Sequence, residues 1–244
     1  MTHRQLAAAQ KKIETCAITA YSDRDAGEAI LDGVIEPETY LKAPIKIMWF
    51  LKEPHDGGGV SYDSWSLIDK HFKAKDPTEL GDRTFYPIIY LNHALLTGEH
   101  VWENIPEVVD MAEEAKRAIR SMAFINAKKQ AGETRSVDRT IKAWLEKGRG
   151  VIDRQIQTYD SDVIFACGPH AAIFFNENGL SLGNGAGSTG SAWYAWIEER
   201  LWIYVYHPNQ KTVAWKTYFE DALQAVIEGI KERPGRIVLP VKPA

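Results

Sequence analysis

The sequence predicts an α/β fold of three layers, with helices on both faces of a central four-stranded parallel sheet. Three observations carry this expectation. Apolar runs near residues 45, 121, 163 and 201 have the length and near-continuous hydrophobicity of strands covered on both sides. Segments of helical periodicity separate these runs. No internal repeat or low-complexity linker interrupts the alternation, so residues 1–244 read as a single domain.

Residues 4–15 form an amphipathic helix, and "GEAILDGVIEPETY" reads as a short helix or turn that leads into the first strand. That strand is "APIKIMWFL", 43–51, opened by Pro44. Residues 52–84 are rich in loop formers, with a short helix around "SWSLIDKHF". "YPIIYLNHALLTG" is helical, with Pro87 in its first turn and Gly98 beyond its end. A further helix spans 106–121, opened by Pro106, with acids early and bases late. "SMAFIN" is the second strand, and a basic loop follows with a helix from about Ser136 that continues through "VIDRQIQTYDS". "DVIFACG" is the third strand and "PHAAIFFNENG" its helix. "LSLGNGAGSTGSAW" is a glycine-rich loop, "LWIYVYHP" the fourth strand, and "TVAWKTYFEDALQAVIEGIKER" the last helix.

Hydrophobic residues make up 45% of the 244, enough for a real core, and the net charge is −4. That charge does not advertise a nucleic-acid binder, although a local basic face acts within an acidic protein. The two cysteines, Cys16 and Cys167, are too few for a disulfide framework, and Cys167 reads as a buried thiol. The opening stretch lacks the apolar core of a signal peptide, and no run reaches the roughly 18 apolar residues of a membrane span. A soluble cytoplasmic protein without membrane partners is expected. The 8 tryptophans, 10 tyrosines and 8 phenylalanines serve core packing first, and stacking on a flat ligand second.

Ligands of open parallel sheets bind beyond the carboxyl ends of the strands. Here the first strand runs into Lys52, Glu53, Pro54, His55 and Asp56, followed by Gly57, Gly58 and Gly59. The second ends in Asn126, then Lys128 and Lys129. The third ends in Gly168, Pro169 and His170, and the fourth in His207, Pro208, Asn209 and Gln210. "GAGSTG" matches G-x-G-x-x-G but follows no strand and opens no helix, so a loop is the better reading. No phosphate-loop motif is present, and the cysteines and histidines lack zinc spacing. No metal and no cofactor is expected.

The four strand ends resemble those of the uracil-DNA glycosylase superfamily. In "LKEPHDG", Glu53 stands where that family's catalytic aspartate does, with Pro54 and Gly57 on shared positions. "AFIN" puts Asn126 on the base-reading asparagine, "FACGPHAA" matches the third strand and its helix, and "YHPNQ" supplies His207 and Pro208. The resemblance covers roughly residues 43–230 and implies hydrolysis of the N-glycosidic bond of uracil or a damaged base in DNA. It implies catalytic roles for Glu53 and His207. Substrate contacts fall to Pro54, His55, Asp56, Phe85, Tyr86, Asn126, Gly168, His170 and Asn209, and phosphate contacts to Lys128, Lys129, Arg135 and Lys211. Asn209, Gln210 and Lys211 replace the serine and apolar wedge that fill a duplex gap, so single-stranded DNA is the expected partner in preference to duplex. Glutamate for aspartate moves the carboxylate by about one methylene, and His55 replaces a tyrosine that excludes the thymine methyl. The alternatives are a non-catalytic nucleotide- or nucleic-acid-binding protein on the same fold, and a small-molecule nucleoside hydrolase.

Overall fold

The computed structural model describes residues 1–22, 27–54, 64–80, 82–132, 136–168, 170–181 and 186–242. The chain opens with α1 (His3–Tyr21), capped by a reciprocal box in which Thr2 and Gln5 satisfy each other's backbone N–H groups. Two short strands follow, β1 (Ile30–Leu31) and β2 (Gly33–Val34), then α2 (Pro37–Lys42), whose first position is a proline. All five residues of β3 (Ile47–Leu51) are buried. Next come β4 (Trp65–Ser66), a π-helical turn over Ile68–Lys73, and α3 (Asp82–Thr97).

Pro87 therefore lies inside α3 and not in its first turn, because the helix begins at Asp82. The helix expected from Pro106 is also shifted. A 3₁₀ turn over Val108–Asp110 precedes α4 (Ala112–Arg120), which carries Glu113 and Glu114 at its start and Arg117 and Arg120 at its end. That charge order suits the helix dipole. The chain continues through β5 (Met122–Asn126), α5 (Asp138–Lys147), α6 (Arg149–Tyr159), β6 (Val163–Cys167) and α7 (Ala171–Glu177). It closes with β7 (Gly187–Thr189), β8 (Ala192–Ile197), β9 (Arg200–Val205) and α8 (Trp215–Glu232).

The main sheet has seven strands in the order β2-β5-β3-β6-β9-β8-β7. Its centre, β5-β3-β6-β9, is parallel, as the four apolar runs predict. The expectation of an all-parallel sheet of four strands is corrected at both edges. On one edge β2 pairs antiparallel with β5, and on the other β8 and β7 form an antiparallel meander with β9. β2 is only two residues long, below the reach of any periodicity. β7 is hidden in the glycine-rich stretch expected to be loop. A side chain at Gly187 would strike the Tyr194 ring at 2.2 Å, so glycine is a packing requirement of the strand pair.

Alternation along each central strand feeds two cores. Ile47, Trp49, Leu51, Phe124, Phe165 and Cys167 face α3, α4 and α8, where Trp49 stacks on Phe165 at 4.6 Å and donates to Asn92 Oδ1 at 2.9 Å. Met48, Phe50, Ile125, Ala166 and Trp202 face α1, α5, α6 and α7. Helices thus cover both faces, and in open α/β sheets of this kind ligands bind beyond the carboxyl ends of the strands. Among the described residues, no helix is long and apolar enough to cross a membrane.

Candidate functional site at the strand ends

The parallel register levels the four strand ends. Leu51 lies opposite Asn126, Phe50 opposite Ala166, and Cys167 opposite Val205. The residues that follow these positions therefore share one rim. Beyond the strands the ladder continues: Ala127 N–H donates to the Leu51 carbonyl (2.9 Å), Lys128 N–H to Lys52 (2.9 Å) and Gly132 N–H to Pro54 (2.8 Å). This zipper carries Lys128 over Glu53, where Nζ and Oε2 form a 2.8 Å ion pair with side-chain exposures of 11% and 7%. Lys128 also donates to the Ala131 carbonyl at 3.0 Å. A Cβ at Gly132 would lie 2.3 Å from Glu53 Cδ, so only glycine lets the loop close over the carboxylate. Pro54 is buried beside this pair in sequence.

Asn126 is buried, and its surroundings were not foreseen. Its backbone N–H donates to Asp32 Oδ2 at 2.8 Å, and its side-chain Nδ2 reaches the same oxygen at 3.4 Å. Asp32 also accepts from Lys129 Nζ at 2.5 Å and Gln155 Nε2 at 2.9 Å. Lys129 donates in addition to the Asn126 carbonyl at 3.2 Å. Its assignment to phosphate is corrected: the side chain is 0% exposed, and burial pushes its pKa down against the pull of Asp32. Lys128 is likewise engaged with Glu53 and is no free phosphate ligand. The signal for Asp32 was present as one acid inside the apolar stretch "AILDGVI". A charge there needs a counter-charge, although the stretch does not name it.

On the neighbouring strand ends, Gly168 adopts φ +110°. A Cβ there would lie 2.7 Å from Lys52 Cε and 3.7 Å from His170 Cε1, so the lysine stem and the imidazole lie side by side on the glycine. His170 is 1% exposed and stands edge-on to Phe50 at 4.7 Å. Neither ring nitrogen makes a hydrogen bond of good geometry among the described residues, although the Phe50 backbone acts on the ring. Burial first, and then the Lys52 charge, push its pKa down to about 3; the Phe50 backbone offsets this only in part. His207 is also lowered, to about 4, by burial and then by Lys52. Its Nδ1 accepts the Asn209 N–H at 3.2 Å. A neutral imidazole that accepts at Nδ1 carries its proton on Nε2. Lys52, which the resemblance assigned no role, is therefore the charge common to both histidines. Its Nζ reaches Asp138 Oδ1 at 3.5 Å.

Phe85 and Tyr86 stand apart from this corner. Phe85 packs on Phe72 (5.4 Å) and Phe124 (6.0 Å), within the core on the opposite sheet face from Phe50 and His170. Tyr86 meets Tyr90 and Trp215 at 6.5 and 6.2 Å. Asn209 and Lys211 are exposed on the loop after β9. His55, Asp56 and Arg135 lie outside the described residues. A groove of ≈ 360 Å³ between α1 and α6, lined by Cys16, Lys147 and Arg154 among others, contains none of the rim residues. Among the described residues, no three His, Cys, Asp or Glu side chains are grouped to hold a metal ion. Compared with protein-family models and with curated protein sequences, the chain matches none.

Proposed function

We propose that the protein is a hydrolase of N-glycosidic bonds, releasing uracil or a damaged base from DNA on a uracil-DNA glycosylase-like fold. The observation that carries this reading is the neutral His207, proton on Nε2, on the same rim as the Glu53 carboxylate. Cleavage builds positive charge on the sugar and negative charge on the departing base. In this reading Glu53, whose carboxylate is held by Lys128 at 2.8 Å, serves the first by stabilising the sugar cation and orienting the water that adds to C1′. His207 Nε2–H faces the second, donating to a carbonyl oxygen as it gains charge. In this reading Asn126, whose Nδ2 lies 3.4 Å from Asp32 Oδ2, supplies its amide to the base edge. Lys211 remains for phosphate contact.

Base release from uracil-containing single-stranded and duplex oligonucleotides tests the reading. Glu53→Gln is expected to slow release by ~10²–10⁴-fold, and His207→Ala by ~10²–10³-fold. Single-stranded substrate is expected to react faster, since it avoids the unstacking penalty. Equal rates for wild type and Glu53→Gln would remove Glu53 from the chemistry.

A second reading is favoured by the engagement of Lys128 and Lys129 within the protein, which removes two cations from a DNA-binding face. The substrate is then a free nucleoside, cleaved by the same rim groups. Hydrolysis of 2′-deoxyuridine at a rate above that of the oligonucleotide would decide for it.

A further inference from the structure

We infer that Lys128 is an amine nucleophile that gives the protein a second activity, cleavage of the DNA strand at the abasic sugar that base release leaves. This rests on the proposed role of Glu53 at the sugar C1′. Three lysines follow the ends of β3 and β5, and their surroundings differ. Lys129 is wholly enclosed against Asp32 at 2.5 Å, and Lys52 reaches the exposed Asp138 at 3.5 Å. Lys128 is the one that meets Glu53, Nζ to Oε2 at 2.8 Å, with both side chains nearly enclosed. The amine is held in place. The Ala131 carbonyl accepts a second Nζ proton at 3.0 Å, and backbone bonds from Ala127, Lys128 and Gly132 tie its loop to Leu51, Lys52 and Pro54. An enclosed ion pair is a poor stabiliser compared with apolar groups of its size. At the mouth of the sheet, against the carboxylate proposed to serve C1′, the pair has a chemical use instead. A group one hydrogen bond from Glu53 lies beside the carbon that Glu53 serves.

Lysine forms imines with carbonyl substrates once a neighbouring base takes its proton. An abasic deoxyribose opens to an aldehyde at C1′. Glu53 takes the Lys128 proton, and the nitrogen lone pair attacks C1′. The carbonyl oxygen leaves as water, with one proton from the nitrogen and one from Glu53. The products are a protonated imine and a restored Glu53 carboxylate. That carboxylate then removes a C2′ proton. The C–H electron pair becomes the C2′=C3′ double bond, and the C3′–O bond breaks with its pair on the phosphate of the downstream strand, which takes the proton from Glu53. Water hydrolyses the imine, freeing Lys128 and a 3′ unsaturated aldehyde. The water used in this last step equals the water formed in the first, and no further reactant enters. Enclosure of the pair shields the imine from early hydrolysis.

The test uses a single-stranded oligonucleotide whose abasic site is made beforehand by acid depurination, so that it does not depend on base release. With sodium borohydride present, wild type is expected to form a covalent protein–DNA adduct, and peptide mapping should place the reduced link on Lys128. Without borohydride, wild type should cut the strand. Lys128→Arg keeps a cation opposite Glu53 but no nucleophilic amine, and should lose adduct and cutting by ~10²-fold or more. Glu53→Gln should slow cutting by ~10²–10⁴-fold. Wild type forming no adduct, an adduct on another lysine, or a Lys128→Arg variant that cuts like wild type overturns the nucleophile. The wild-type mapping decides the matter even where a variant fails to fold. An adduct at Lys128 without base release from any uracil oligonucleotide leaves the nucleophile standing and overturns the proposed base release. Base release with no adduct does the reverse.

Discussion

Two buried polar clusters flank the ends of β3 and β5, and they are built on opposite terms. In the Asp32 cluster every charge has a partner: the carboxylate accepts from the Asn126 backbone, Lys129 and Gln155, and Lys129 is fully enclosed. In the Lys52 corner the pairing is looser: neither His170 nitrogen makes a hydrogen bond of good geometry among the described residues, and Lys52 Nζ meets Asp138 Oδ1 at 3.5 Å. The first arrangement holds structure, because an enclosed charge is tolerable only when neutralised and hydrogen-bonded. The second leaves polar groups enclosed but weakly paired. Titrations shifted by burial plus a specific charge mark such places.

The comparison breaks most sharply if the closed cluster is opened. Asp32→Ala leaves Lys129 buried without its counter-charge, and the expected loss is about 3–5 kcal/mol of folding stability, read by urea denaturation. The double variant Asp32→Leu with Lys129→Met should recover most of it. If Asp32→Ala unfolds like wild type, the cluster is not the structural anchor described.

The open corner should respond to pH instead. The His170 pKa, about 3, lies below its ordinary 6.5, so the unfolded chain binds this proton first as acid is added. The neutral ring's contribution is fully present above about pH 6.5 and is lost as pH falls toward 3. Between pH 7.5 and pH 5 that loss is about 2 kcal/mol. His170→Leu should flatten this part of the stability curve, and at pH 7.5 it should cost far less than Asp32→Ala. A parallel pH dependence in wild type and His170→Leu would show that the ring is not held neutral by burial.

The smallest effect belongs to the surface. Lys211 is exposed and enters the proposal only as a phosphate contact. Lys211→Ala should lower the salt dependence of oligonucleotide binding by about one counterion and leave folding unchanged within ~0.5 kcal/mol. An unchanged salt slope removes Lys211 from the phosphate face.

Much of the fold was legible because its main signal is local. A strand buried on both faces must be apolar at every position, and "IMWFL", "MAFIN" and "VIFAC" are nearly so. The rim followed from the same runs, since what comes after a parallel strand must emerge at one edge. The edge strands escaped for other reasons. β2 has two residues, and β8, Ala-Trp-Tyr-Ala-Trp-Ile, is an apolar run that follows directly on the glycine-rich stretch.

The sequence by itself determined the four central strands, the residue types at their ends, and an isolated acid within an apolar stretch. Only the tertiary structure decided what each lysine does. Lys52, Lys128 and Lys129 read alike as basic residues just past strand ends. One pairs with Glu53, one is sealed against an aspartate 97 positions away, and one makes only a 3.5 Å contact with Asp138 beside two depressed histidines. The fate of a charge depends on which counter-charge the fold delivers to it and how much water it excludes, and neither quantity is a property of the residues adjacent in the chain.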